Sequence, residues 1–89
     1  MTPEQKQMLR DALLAALVVS SPLSLPFATL RMTARAAGFS IDDTDLARHL
    51  DYLVKSNLAE TKTERLSAGV TRWQSTAAGV DYCEGAGLV

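Results

Sequence analysis

Surplus positive charge is missing from this sequence. Nine lysines and arginines stand against ten aspartates and glutamates, for a formal net charge of −1. A protein that grips phosphates draws much of its affinity from released counterions and usually carries a basic excess. Any basic patch here must come from uneven placement. Cysteine is nearly absent too. The single Cys83 excludes an intrachain disulfide framework and a cysteine-built zinc site, and one thiol suits a cytoplasmic protein. The lone His49 lies far from Cys83 and has no third partner, so no metal site is expected. No carboxylate pair, no nucleophile beside a base and no glycine-rich phosphate loop occurs. Gly79, Gly85 and Gly87 read as helix caps and tail, because no strand leads into them in a βαβ setting. No enzyme activity and no cofactor are expected.

Long hydrophobic runs are missing as well. The apolar stretch from Ala12 to Val19 falls far short of the about 20 residues that cross a bilayer, so no membrane partner is expected. It follows Lys6 and Arg10 much as the core of a signal peptide follows its basic flank. Glu4 and Asp11 place acid in that flank, however, and no small-x-small cleavage pattern comes after it. The stretch reads as a core helix.

What is present is enough for one small globule. Hydrophobic residues make up 47% of 89 residues, a length suited to a single domain (1–89) with a thin stability margin. Thr2-Pro3-Glu4-Gln5 carries a capping residue, a proline for the first helical position and a glutamine three residues on. The first helix is predicted over 3–19. Leu9, Leu13, Ala16 and Leu17 form one apolar stripe, and Leu14 and Val18 form a second row beside it. Either the helix is buried nearly all round, or the second row, Leu14 and Val18, packs against another copy in a homodimer. Pro22 and Pro26 break the helix and favour an extended path. Leu23 and Leu25 alternate there, as in a short edge strand.

A second helix is predicted over 26–37, with Phe27, Leu30 and Ala34 on one face, Arg31 and Arg35 on the other, and Gly38 as its cap. Asp42 or Asp43 caps a third helix over 42–56, buried along Leu46, Leu50 and Leu53. Asn57 then takes a left-handed position. From Leu58 the period changes to that of strands. Leu58 to Glu64 and Val70 to Ser75, joined at Ser67-Ala68-Gly69, read as a hairpin over 58–75 anchored by Val70 and Trp73. Thr76 caps a last helix over 76–84, with Val80 and Cys83 inward.

This order is mainly α with a small β-hairpin, an α+β class, and its wording resembles a winged helix-turn-helix domain. The stretch Leu46-Ala-Arg-His-Leu50-Asp-Tyr-Leu53-Val-Lys-Ser-Asn-Leu58 resembles a recognition helix running into a wing strand. Thr71-Arg-Trp73-Gln-Ser-Thr76-Ala-Ala-Gly79-Val resembles the end of the wing in MarR- and PadR-like transcription factors, where an aromatic leads into a Leu-Thr-x-x-Gly turn. Ser75 departs from that pattern, which has an aliphatic residue there. A small domain of this kind also fits a phage or prophage regulator.

The resemblance implies transcription regulation through double-stranded DNA. The third helix would enter the major groove and the hairpin would touch the backbone nearby. Arg48 would then meet a guanine edge, with Thr44, Tyr52 and Lys55 beside it. Lys62, Arg65 and Arg72 on the wing and Arg31 and Arg35 on the second helix would neutralise phosphates. A dimer would set two such helices on a pseudo-palindromic site. Asp42, Asp43, Asp45 and Asp51 oppose this reading by charge, although aspartates in a first turn also serve as caps. The wing cations also fit an ordinary solvated edge, Trp73 a core residue and His49 a packing residue. The alternative function is a winged helix that binds a protein partner instead of DNA.

Overall fold

The structure, a computed structural model, describes residues 1–63 and 70–89. The expected turn at Ser67-Ala68-Gly69 lies outside the described residues. Among the described residues, four helices and three strands follow in the order α1 (Pro3–Ser20), β1 (Leu25–Pro26), α2 (Phe27–Ala36), α3 (Asp43–Lys55), β2 (Ala59–Thr63), β3 (Thr71–Ser75) and α4 (Ala77–Gly85).

Local chemistry sets the helix ends. At α1 the Thr2 hydroxyl accepts from the Gln5 N–H at 3.1 Å, and the Gln5 side chain accepts from the Thr2 N–H at 2.9 Å, a complete capping box with Pro3 in the first turn. Asp42 caps α3, accepting from the Asp45 N–H at 2.8 Å. Thr76 caps α4 by accepting from the Gly79 N–H at 3.1 Å. After α2 the chain reverses through Gly38 at φ 91°, a conformation that costs a glycine little. After α3 it does so through Asn57 at φ 62°, as its residue type predicts.

The strands form one antiparallel sheet in the order β1-β3-β2. β1 meets β3 at Leu25↔Trp73 and Pro26↔Arg72. Pro26 can occupy this strand because it lies at the sheet edge, where a missing N–H costs no central ladder bond. Pro26 therefore ends the strand and precedes α2 instead of opening it. Leu23 stays outside the strand and exposed. β2 and β3 pair from Ala59↔Ser75 to Thr63↔Thr71. Val70 is not the anchor its hydrophobicity suggested. It precedes β3 and is 38% exposed, and among the described residues of the hairpin the apolar contacts to the core come from Ala59 of β2 and Trp73 of β3.

The core is mostly leucine. Leu9, Leu13, Leu14 and Leu17 of α1 meet Leu30 and Ala34 of α2, Leu46, Leu50 and Leu53 of α3, Ala59 of β2 and Cys83 of α4. α1 runs through the middle and touches α2, α3, α4 and β3. This corrects one expectation. Leu14 has no accessible surface, because α4 of the same chain covers it, so it offers nothing to a second copy. Val18 is half-buried against the core. Tyr82 ties α4 to α1, donating to Asp11 Oδ1 at 2.9 Å and accepting from Gln7 Nε2 at 3.1 Å.

α4 approaches the start of the wing so closely that position 79 has no room for a side chain. A Cβ there would lie 2.1 Å from the Leu58 carbonyl oxygen and 3.3 Å from Leu14 Cδ1. Sequence reading took Gly79 for a cap; its actual role is to admit the Leu58 carbonyl to the first turn of α4. The unusual Ser75 also shows its effect. Its buried hydroxyl oxygen has no hydrogen-bond partner among the described residues, and neither does Gln74 Oε1.

Candidate nucleic-acid interface

The fold presents α3 with its leucine face inward, so the opposite face is open. Thr44, Ala47, Arg48, Asp51 and Lys55 are all exposed there. Helical geometry lines up Thr44, Arg48, Asp51 and Lys55 by their spacings of four, three and four residues. Arg48 and Lys55 have side chains 77% and 76% exposed, so both cations can reach a partner. Each also has an anion within its own helix. Lys55 Nζ lies 2.8 Å from Asp51 Oδ2, and Arg48 Nη1 lies 3.6 Å from Asp45 Oδ1. The Asp51 bond holds the Lys55 ammonium above its ordinary pKa.

The other cations singled out from the sequence divide into two groups. Arg31 reaches across the turn between α2 and α3. Its Nε and Nη2 bond both oxygens of Asp43 at 2.9 and 2.8 Å, a fork-to-fork pair. Hydrogen bonding to Arg31 lowers the Asp43 pKa, and the same bond raises that of Arg31. Arg31 therefore braces α3 against α2. Arg72 turns toward β1 and its approach, donating to Ser24 Oγ at 3.0 Å and to the Ser24 carbonyl at 2.9 Å. It too has a structural attachment. The side chains of Lys62 on β2 and Arg35 on α2 are exposed and make no hydrogen bond or ion pair among the described residues. Arg65 lies outside the described residues.

Tyr52, exposed and one turn on from Arg48, sits on the flank of α3 that faces α1. The Arg10 guanidinium carbon lies 3.8 Å from its ring centroid, a close cation–π stack. Arg10 Nε also donates to His49 Nδ1 at 3.3 Å. Arg10 thus clasps two α3 side chains one turn apart. Burial pushes the His49 pKa down, and the charge of Arg10 pushes it further in the same direction. Sequence reading missed Arg10, because nothing local marks a contact 39 residues away. The clasp lies in an open cleft of about 840 Å³ between α1 and α3, whose walls include Lys6, Asp45 and Arg48.

Comparison with solved structures identifies the architecture. A double mutant of Lactococcus lactis ZitR in apo form superposes with a TM-score of 0.74 at 15% identity, covering 96% of this chain and 58% of that one. The PcaV transcriptional regulator from Streptomyces coelicolor gives 0.67 at 18% identity, covering 99% of this chain and 54% of that one. A PadR family transcription regulator from Clostridium difficile gives 0.67 at 16% identity, covering 89% and 83%. The chain thus spans little more than half of the first two. No protein-family model and no curated protein matches the sequence. At these identities the likeness is one of fold: the chain shares the winged-helix architecture of these structures.

Proposed function

We propose that this chain is a winged-helix module that binds double-stranded DNA in transcription regulation, with α3 in the major groove and the β2–β3 wing on the backbone. One observation carries the reading: Thr44, Arg48 and Lys55 line the face of α3 turned away from the core, and all three are exposed. Arg48 stands mid-helix, where its fork suits a guanine edge. Thr44 and Lys55 suit phosphates on either side, and Lys62 and Arg35 add charge nearby. Arg31 and Arg72 would join the contact set as secondary members, since each is bonded to another part of the chain, while Tyr52 carries Arg10 on its ring and would offer its hydroxyl to phosphate. Two copies would place two α3 helices on a two-fold site. The exposed Val19 and Leu23, beside Val18, supply apolar surface for that pairing in place of Leu14.

A salt series tests the proposal. Anisotropy of a labelled mixed-sequence duplex should rise with protein at low salt, and the affinity should fall as salt increases. Arg48→Ala should lose about tenfold or more in preference for a selected site over random duplex, which is what one bidentate base contact is worth. Sedimentation of Val19→Glu against wild type tests the pairing, and a wild type that is monomeric throughout would dispose of it. The second reading, a protein-binding winged helix, draws on the ion pairs that already occupy Arg48, Lys55 and Arg31. Absence of any duplex binding at low salt would favour it.

A further inference from the structure

We infer that Asp51, seconded by Asp45, is a specificity-determining residue of α3: each holds a cation of the outward face against indiscriminate contact with phosphate. The inference rests on the DNA-binding reading above and names how that same face would discriminate.

The argument begins with distance. Asp51 Oδ2 is 2.8 Å from Lys55 Nζ, four residues on, and Asp45 Oδ1 is 3.6 Å from Arg48 Nη1, three residues on. In both pairs the acid is on the N-terminal side, the favourable order for a helix. A carboxylate and a phosphate oxygen are the same kind of acceptor for an ammonium or a guanidinium. Phosphate arriving at Lys55 must therefore either displace Asp51 or take a remaining N–H of the ammonium with that carboxylate 2.8 Å away from the same nitrogen. In either case the carboxylate remains on the same exposed face and repels the backbone. Non-specific binding thus gains little from either cation.

A base edge is treated differently. Guanine N7 and O6 are neutral acceptors, so Arg48 can turn to them without bringing a second negative charge against Asp45. A freed carboxylate can accept from a cytosine amino group. The two acids therefore penalise backbone contact more than base contact, and the ratio between the two is specificity.

The experiment compares wild type, Asp51→Asn, Asp45→Asn and Glu84→Gln on a mixed-sequence duplex across a salt series. Glu84 is exposed on α4, which packs on α1 and β3. Its variant makes the same change in net charge away from the α3 pairs. Asp51→Asn should bind random duplex roughly fivefold to tenfold more tightly at 0.1 M salt, with a salt slope steeper by about 0.9, as one released counterion requires. Asp45→Asn should move the same way, and Glu84→Gln should stay near wild type. Duplex binding by wild type that neither aspartate variant alters would overturn the inference alone. So would an equal gain in Glu84→Gln, since net charge would then explain it. No duplex binding by wild type or any variant would overturn the DNA reading, and this inference with it.

Discussion

At position 79 the chain has room for a hydrogen atom and nothing larger. The Leu58 carbonyl that fills the space also accepts from the Thr76 N–H at 3.2 Å, while the Thr76 hydroxyl donates to the Asn57 carbonyl at 2.6 Å. Two adjacent carbonyls at the end of α3 are thus received by the first turn of α4. Gly79→Ala forces the helix away from them and should cost about 1–3 kcal/mol or more in a urea unfolding curve, the range for overpacking. Gly85→Ala, with nothing within 4 Å of its Cβ, should be neutral or slightly stabilising in the same measurement. Thr76→Ala removes both the cap of α4 and the bond to Asn57, and should cost about 1–2 kcal/mol. The two halves of this joint differ in how visible they were. A Thr before a helix signals a cap within three residues, so Thr76 could be read. Gly79 could not, because what excludes its side chain lies on a strand approach 21 residues earlier.

The helices communicate through their flanks. α1 holds α3 by the Arg10 clasp on Tyr52 and His49, and the clasp needs His49 neutral, since Nδ1 accepts the arginine proton. The groups facing His49 are Arg10 and Lys6 from α1, which lower its pKa, and Asp45 from α3, which raises it less than burial and Arg10 lower it. The folded value thus lies below the ordinary 6.5. A histidine lowered by folding binds fewer protons in the native state than in the unfolded one. Its contribution is complete above pH 6.5 and is lost as pH falls below that value. The melting temperature should therefore decline between about pH 7 and pH 5, and His49→Gln should flatten that decline. The Asp43 pair acts in a separate window, since its carboxyl is held below 3.8 and its stabilisation disappears only in stronger acid. Element boundaries were legible because caps, prolines and Asn57 are local signals. The joints between elements were not. Arg31–Asp43, Arg10–His49 and Arg72–Ser24 span 12, 39 and 48 residues, and a sequence shows a charge without showing whom it meets. Arg31 and Arg72 look like phosphate ligands for that reason, and in the structure each also ties its own element to another part of the chain.

Over the whole molecule, α1 is an axle enclosed by the other elements, and its second apolar row is part of one interior. Leu14→Ala should therefore cost about 2–5 kcal/mol in stability and leave the sedimentation coefficient unchanged. A changed coefficient with intact stability would restore the leucine to an intermolecular contact. The near-neutral charge also takes on a structural meaning. Part of the charge is cancelled locally, by short-range pairs on α3 and across the α2–α3 turn, which the net value of −1 could suggest but not locate.

The chain has a single tryptophan, Trp73. Its ring centroid lies 5.9 Å from that of Phe27, and the Arg31 guanidinium lies 5.3 Å over Phe27 while gripping Asp43 at the head of α3. Wing and α2 thus meet at one natural fluorophore, and α3 is tied to them through Arg31. If the proposed engagement of α3 shifts Arg31, the emission of unlabelled protein should change with it, a gauge readable in a cuvette without a tag.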